Sequence, residues 1–362
     1  MNTKLQLDVK EYTLERYPKT EDKSLRAWSN AELLVLDYIA DKEAENIHTF
    51  NDRFGVWNCA LQNKNLTTVW TYASQQKAIT QNLTLNNFSD AIIYKTPLED
   101  LKKVDLALIK IPKSLELFEL FLQQIHKVAH ENTEVVCGFM TKYFSASYLK
   151  IAEEYFEIVE QSRAWKKARL LVLKQPKTNI THRMLINEIN WKCILHQYYG
   201  VFSSGKVDIG TQFLLEHLQV KSNELQVLDV ASGNGVIAYE VTQQNPKAKV
   251  TLVDDFNLAI ASSQLNLENK KANFICADTL NELEQNSFDL VVSNPPFHFE
   301  HENNIEVALH LFKGVQNCLK PNGRFVLVAN KHLNYTTHLK KLFKEVEVVK
   351  SNKKFEVIEC LK

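Results

Sequence analysis

The chain reads as an α/β protein built from two tandem Rossmann-like lobes, each a doubly wound and mostly parallel sheet. Three observations predict this. Short apolar, β-branched runs alternate with longer periodic stretches, the pattern of strand–helix–strand units. The alternation breaks once, at residues 173–183 (LKQPKTNITHR), which carry proline and little periodicity and read as an inter-lobe linker. The two halves also repeat each other. Val104-Asp-Leu-Ala-Leu-Ile-Lys-Ile-Pro matches Phe288-Asp-Leu-Val-Val-Ser-Asn-Pro-Pro at a constant offset of 184 (105 to 289), and Gln81-Asn82 resembles Leu265-Asn266 at the same offset. Phe50-Asn-Asp-Arg-Phe-Gly55 lies against Leu228-Asp-Val-Ala-Ser-Gly233 at 178, and Lys166-Lys167 against Lys353-Lys354 at 187. Drifts of this size are what loop insertions and deletions produce.

In the first lobe, Ser29-Asn30 precedes a helical run over 31–40 with Leu33, Leu34 and Leu36 among its apolar positions. Strands are expected at 46–50, 67–71, 90–94, 104–111, 134–138 and 168–173, with a helix over 115–128. After the linker, Leu185, Ile189, Trp191, Cys193 and Leu195 fall at odd positions among polar neighbours, which predicts a hairpin or edge strand. The loop 199–210 then leads into a helix around 211–218, and strands follow at 226–230, 249–253, 273–276, 288–292, 324–328, 345–349 and 355–358. The resulting division is a first lobe over 1–175, linker and hairpin over 176–200, and a second lobe over 201–362.

Composition narrows the function classes. Hydrophobic residues at 45% and charged at 24% are those of an ordinary globular chain of two-domain length. No run of 18 or more uncharged apolar residues appears, and residues 1–18 lack the apolar core of a signal peptide. The six cysteines are scattered without a C-x-x-C pair or a short Cys/His spacing, which points to free thiols in a reducing cytoplasm and to no metal site. Lys+Arg 43 balances Asp+Glu 43, so a nucleic-acid partner would need a local basic face.

The chemistry-bearing residues lie on successive strand ends of the second lobe. Leu228-Asp229-Val-Ala-Ser-Gly233-Asn-Gly235 ends one strand and opens a helix, with glycines that permit close backbone approach. It is not G-x-G-x-x-G, since position 238 is Ala; it resembles the glycine loop of class I S-adenosylmethionine methyltransferases more than the dinucleotide loop. Asp254 ends the next strand, 25 residues after Asp229, where an acid can reach both ribose hydroxyls. Asp278 follows the third strand and is placed to accept from an adenine amino group. Asn294-Pro295-Pro296-Phe297-His298 follows the fourth, a strand stopped by two prolines. Asn294 offers a side-chain carbonyl, its own backbone or that of Pro295 a second acceptor, and Phe297 a flat apolar face. Two acceptors and a stacking plate suit a planar heterocycle with an exocyclic amino group; His298 is read as a hydrogen bonder that orders the loop.

The first lobe keeps the pattern without these residues. In the alignment above, Trp57 stands at Gly235, Trp70 or Thr71 near Asp254, and Lys110 at Asn294. Trp57 is expected to fill the place where a cofactor approaches the backbone, and no donor is expected to bind this lobe. Before the second lobe's glycine loop, Phe202, Asp208 and Thr211 are candidates to roof the cofactor, Thr211 also as a helix N-cap. Lys110, Lys113, Lys166, Lys167 and Arg169 are candidates for phosphate contacts.

Over nearly its full length the chain resembles the bacterial ribosomal RNA guanine-N2 methyltransferases of tandem-lobe type, nearest the type acting on large-subunit 23S rRNA (the RlmG type). The likeness is carried by Ala107-Leu-Ile-Lys-Ile-Pro-Lys113, Ala164-Trp-Lys-Lys-Ala-Arg-Leu170, Val201-Phe-Ser203 with Asp208-Ile-Gly210, Asn294-Pro-Pro-Phe-His298, and Ala329-Asn-Lys-His-Leu333 with Asn352-Lys-Lys-Phe355. Ala231-Ser232 departs from it, where such enzymes often carry Gly-Cys. The resemblance implies two class I methyltransferase lobes, the first degenerate and aiding RNA recognition, and methylation of a guanine N2 with S-adenosylmethionine as donor. It also implies 23S rRNA as partner, no membrane or metal partner, and a monomer. The alternatives are the small-subunit (16S) rRNA guanine-N2 enzyme, an adenine-N6 methyltransferase, and a protein glutamine-N5 methyltransferase. The glutamine enzymes pair a tyrosine in the fourth motif position with a helical extra domain, whereas here the position is Phe297 and the extra lobe is a duplicate.

Overall fold

The computed structural model describes residues 3–20, 22–268, 271–295 and 305–362. It divides into two compact units, Met1–Leu185 and Ile186–Lys362. The first opens with an antiparallel hairpin, β1 (Lys4–Leu7) and β2 (Lys10–Thr13). There follow α1 (Asn30–Ile39), β3 (Ile47–Phe50), α2 (Val56–Ala60), β4 (Leu66–Val69), α3 (Ala73–Leu85), β5 (Ile93–Lys95) and β6 (Leu106–Lys110). The unit ends with α4 (Leu115–His126), β7 (Glu134–Met140), α5 (Ala146–Tyr155), β8 (Phe156–Gln161) and β9 (Ala168–Pro176). Seven of these strands form one sheet in the order β5-β4-β3-β6-β7-β9-β8, parallel except where β9 runs against β7 and β8.

The second unit repeats that order. A hairpin of β10 (Ile186–Asn190) and β11 (Ile194–Tyr198) leads into α6 (Ile209–His217), β12 (Gln226–Val230), α7 (Val236–Gln244), β13 (Lys249–Asp254), α8 (Asn257–Leu267) and β14 (Ala272–Cys276). Next come β15 (Phe288–Ser293), α9 (Ile305–Cys318), β16 (Leu319–Asn330), α10 (Tyr335–Leu339), β17 (Glu345–Ser351) and β18 (Phe355–Leu361). The sheet runs β14-β13-β12-β15-β16-β18-β17, with β18 antiparallel to both neighbours. The duplication read from the sequence is therefore a duplication of topology, hairpin included.

The central strands are apolar throughout because helices cover both faces: Ile47 and Phe50 of β3, Leu106 to Ile109 of β6 and Leu290 to Val292 of β15 are all buried. At the start of α1, the Ser29 side chain accepts from the first turn while Glu32 accepts from the Ser29 backbone, a capping box. Two elements escaped the sequence reading. The hairpin β1–β2 is written in residues such as KLQL and KEYT, and β8 as FEIVEQ with five of six positions not buried. Edge strands need ladder hydrogen bonds more than an apolar face, so their composition says little.

One tie recurs in both units. Asn82 of α3 accepts from the Glu15 backbone N–H (2.8 Å) and donates to the carbonyls of Glu15 (2.9 Å) and Phe54 (2.8 Å). Asn266 of α8 accepts from the His196 N–H (2.8 Å) and donates to the carbonyls of His196 and Asn234, each at 2.9 Å. Each asparagine staples its hairpin and its first strand-end loop to the same helix, which explains the recurrence at positions 82 and 266. Asn82 is fully buried, so Asn82→Ala strands three backbone groups and is expected to cost on the order of 3 kcal/mol. Urea unfolding of the wild type and variant measures it; a midpoint unchanged within error would show that water replaces the tie.

Candidate active site

The ends of β14, β13, β12 and β15 are neighbours, and they carry the four predicted groups along one edge of the sheet: Asp278, Asp254, the loop 231–235 and Asn294. The loop turns through left-handed conformations at Ala231 (φ 56°), Gly233 (φ 56°) and Gly235 (φ 79°). A Cβ at Gly233 would meet nothing within 4 Å, so its backbone faces open space. A Cβ at Gly235 would stand 3.0 Å from Ser263 Oγ and 3.2 Å from Leu252 Cδ2, so this glycine lets α7 start against α8. Asp229 is completely buried and accepts from the Ala238 N–H at 3.0 Å, tying the first turn of α7 to its strand. Burial holds its carboxyl well above the ordinary range.

Asp254 is half-buried and accepts from Gly233 N–H and Phe256 N–H, both at 2.9 Å, leaving further lone pairs on each oxygen. Asp278 is half-exposed beyond β14, and Phe202 is 63% exposed. Open backbone at Gly233 and an acid at the end of β13 fit the ribose and amino-acid portions of S-adenosylmethionine.

Asp208 and Thr211 meet Asn294 at the start of α6. Asp208 caps α6, its Oδ2 accepting from the N–H groups of Gly210 (2.8 Å) and Thr211 (3.1 Å). The Asn294 amide nitrogen donates to the same Asp208 oxygen (3.2 Å) and to Thr211 Oγ1 (2.9 Å). A carboxylate only accepts, so this contact fixes which way the amide points. Both amide hydrogens face the helix, and the Asn294 oxygen is turned away from it. Sequence reasoning had named all three residues without seeing that they act on one another. Pro295 is buried beside Asn294; Pro296, Phe297 and His298 lie outside the described residues.

In the first unit the equivalent positions are differently filled. Gly55 (φ 75°) and Gly235 (φ 79°) both begin the helix after the first parallel strand, and Asn51 (φ 57°) matches Ala231 (φ 56°). The offset here is therefore 180, which corrects the alignment of Trp57 with Gly235. Trp57 lies inside α2, buried in the core with its indole N–H donating to the Glu32 carbonyl at 3.2 Å. The residue opposite Gly233 is Arg53, which is buried; its guanidinium donates to Ser74 Oγ at 2.7 Å and lies 4.9 Å from the Tyr72 ring centre. Trp70 follows β4 where Asp254 ends β13, and Lys110 ends β6. Arginine, tryptophan and lysine thus stand where the second unit has glycine, aspartate and asparagine.

Lys110 is also not a free cation. Its ammonium contacts Ser29 Oγ at 3.0 Å and forms an ion pair with Glu32, the two capping residues of α1. Lys113 is exposed, and Lys166 and Lys167 occupy the tip of the β8–β9 connection at φ 45° and 65°. The Lys166 carbonyl accepts from Asn30 at 2.9 Å, so this tip lies beside the Ser29–Lys110 contact and both lysine groups share the sheet's carboxyl edge. Lys166 Nζ sits 4.5 Å from the ring centre of Trp165, which is exposed. Arg169 is half-buried on β9 with its Nε unpartnered.

A glycine loop, an acid and an asparagine–proline strand end on this sheet order define a class I methyltransferase, an enzyme whose methyl donor is S-adenosylmethionine. Residues 2–178 match the RLMG N-terminal domain family and residues 192–359 the methyltransferase small domain family, and the chain belongs to the tandem-lobe methyltransferases that join these two domains. Among solved structures it is similar to the T. thermophilus 16S rRNA N2 methyltransferase RsmC in complex with AdoMet and guanosine, with a TM-score of 0.80 at 21% identity over 99% of this chain and 97% of that one. A methyltransferase from Pyrococcus furiosus matches 42% of this chain and 82% of its own at 18% identity, with a TM-score of 0.37. Among the described residues no helix is long and apolar enough to cross a membrane, and no group of His, Cys, Asp and Glu could hold a metal ion.

Burial pushes the Asp254 carboxyl up to about 6, against the pull of the Phe256 and Gly233 N–H groups, and the charge of Asp255 adds to the rise. Because the folded value is raised, this group favours the folded state at low pH, and that contribution is lost as pH rises through about 6. Donor binding has the opposite sign, since the charged carboxylate is the stronger acceptor for ribose hydroxyls. Donor affinity is therefore expected to fall as pH drops below about 6. Calorimetric titration across that range checks it, and a flat profile in the wild type would remove Asp254 from the ribose contact.

Proposed function

We propose that the chain transfers a methyl group from S-adenosylmethionine to the exocyclic N2 of a specific guanine in 23S rRNA. The observation that carries this reading is the Asn294 amide, held by Asp208 and Thr211 so that its oxygen is the free end. An acceptor at that strand end suits an amino group on a planar base. Guanine N2 is a poor nucleophile because its lone pair is delocalised into the ring. Accepting its N–H groups at Asn294 Oδ1 and at the backbone carbonyl of Asn294 or Pro295 would favour pyramidal geometry and aim the lone pair.

When bound, the donor supplies a methyl group already activated on a sulfonium. The chain's own task is orientation, worth up to roughly 7–11 kcal/mol. Asp254 and the open backbone at Gly233 would hold the donor, Asp278 would accept from its adenine, and Phe297 would stack on a flipped base. No strong general base is needed, because the nitrogen proton becomes acidic once the methyl group is attached.

The RLMG character of the first domain supports 23S rRNA. A second reading, 16S rRNA, is favoured by the T. thermophilus enzyme, which shares the fold over the whole chain. Incubation of the full chain with methyl-labelled donor and separate 23S and 16S transcripts, followed by mass analysis of nucleosides, distinguishes them. Label as N2-methylguanosine in 23S rRNA is the expected result. Label confined to 16S rRNA supports the second reading, and label on adenine or on protein overturns both.

Asn294→Ala is expected to lower methyl transfer by several orders of magnitude while donor affinity stays nearly unchanged, because acceptors that position the amine act mostly in the transition state. A drop in turnover of less than about tenfold would exclude that role.

The first domain, with its donor site filled, is free to grip surrounding RNA through Lys113, Lys166 and Lys167 beside Trp165. Lysines in two successive left-handed positions are strained where Asn-Gly would be at ease. With Lys110 neutralised by Glu32, changing Lys166 and Lys167 to Glu is the informative test. We expect weaker rRNA binding and a salt slope reduced by about one per lysine, with donor affinity unchanged. Anisotropy titrations at several salt concentrations measure this; an unchanged slope would move the RNA contact elsewhere.

A further inference from the structure

A cleft opens beside Asn294, lined among others by Asp208, Pro295, Asn330, Tyr335, Lys354 and Phe355. Two of these side chains carry a polar atom that the protein leaves unpaired. Asn330 is 6% exposed and its Oδ1 is closed off from water with no donor to it; Tyr335 is 2% exposed and its hydroxyl is in the same condition. Native proteins seldom leave buried polar atoms in this state, because desolvation without a partner costs stability. Both lie next to the reacting strand end. Asn330 is the last residue of β16, whose Leu327 pairs with Ser293 of β15, and Tyr335 opens α10 directly after. Burial pushes the Tyr335 phenol up to about 12, so it remains a donor at any working pH.

The Watson–Crick edge of guanine presents the 2-amino group, then the N1–H donor, then the O6 acceptor. Three of the residues that line the cleft carry the complementary series of groups: an oxygen on Asn294, an oxygen on Asn330 and a hydroxyl on Tyr335. We propose that Asn330 Oδ1 accepts from guanine N1–H and that the Tyr335 hydroxyl donates to O6, so that this pair selects guanine while Asn294 positions its amino group. The inference rests on the guanine-N2 reading above. Adenine inverts the pattern, with an acceptor at N1 and a donor at C6, and would leave both protein atoms unpaired or opposed. Neither residue was singled out from the sequence, although Asn330 lies in the quoted stretch 329–333.

The test uses the full chain and an rRNA fragment carrying either guanine or 2-aminopurine at the methylated position. The analogue keeps the 2-amino group and lacks both O6 and N1–H. Wild type is expected to lose at least about tenfold in kcat/KM on the analogue, the scale of a lost base-edge contact. Tyr335→Phe and Asn330→Leu should each lower transfer to guanine by about tenfold and narrow the guanine-to-analogue ratio accordingly. Donor affinity should hold, and Tm of Tyr335→Phe should not fall, since removing an unpaired buried hydroxyl breaks no bond. Wild-type ratios in both variants overturn the inference, as does a markedly lower Tm for Tyr335→Phe, which would reveal an internal partner. If wild type places no methyl group on guanine N2 in either rRNA, the substrate reading itself has failed and takes this inference with it; an active wild type with unaltered discrimination in the variants breaks the inference alone.

Discussion

The interaction on which the site depends is the contact between Asn294 and the cap of α6. Asp208 has two obligations, capping the start of the helix at the N–H groups of Gly210 and Thr211 and receiving the Asn294 amide. Because one carboxylate oxygen serves both, the strand end and the helix start are fixed relative to each other, and the amide cannot turn over without facing its oxygen towards a carboxylate. Gly210 belongs to the same arrangement: a Cβ there would stand 2.9 Å from that Asp208 oxygen and 3.2 Å from the Phe355 ring. The orientation of the key group is thus set by backbone capping, a strong local preference, rather than by a flexible side-chain network.

The first unit has kept this joint while changing its chemistry. Ser29 and Glu32 stand where Asp208 and Thr211 do, and Lys110 stands where Asn294 does, joined by an ion pair and a hydrogen bond. The recurrence shows that the joint itself is structural, needed to hold the first helix against the fourth parallel strand. Asparagine adds to that framework an outward acceptor; lysine, with three donors and no acceptor, removes it. A similar exchange occurs at the glycine loop. Asp229 holds α7 from within its strand, whereas α2 is held by Asp52 in the loop, which accepts from Val56, Trp57 and Asn58 at 2.9 to 3.1 Å. The helix start is anchored in both units, but the loop is backed by different residues, and with Arg53 inside it the open backbone is gone.

The sheet order was legible because parallel central strands are covered on both faces and must be apolar, so 104–111 and 288–292 announced themselves. The strand-end residues were legible for a related reason: a glycine, an acid or a proline at the end of such a run has no packing role to explain it. What stayed hidden were relations rather than residues. Asn294 lies 83 and 86 positions from Thr211 and Asp208, and nothing in a single sequence marks it as their partner. The misplacement of Trp57 came from aligning Gly55 with Gly233 when the shared left-handed turn pairs it with Gly235. Two glycines two residues apart look interchangeable in sequence, yet only one of them starts a helix.

Some unrelieved cost lies at the carboxyl edges of both sheets. In the second unit it takes the form of left-handed Ala231 and of buried polar atoms on Asn330 and Tyr335 without partners. In the first it is the left-handed pair Lys166 and Lys167, held just before β9 by the Asn30 contact to the Lys166 carbonyl and by the Thr141 N–H to the Lys167 carbonyl at 2.9 Å. The second unit's counterpart, Lys353 and Lys354, sits in a relaxed turn in which Asn352 accepts from the N–H groups of Lys354 and Phe355. The same two lysines are therefore strained in the first unit and at ease in the second. Strain persists only where surrounding contacts over-determine it, and here those contacts hold two exposed lysines at the carboxyl edge of the sheet. That edge carries exposed lysines where the second unit carries its glycine loop, acid and asparagine.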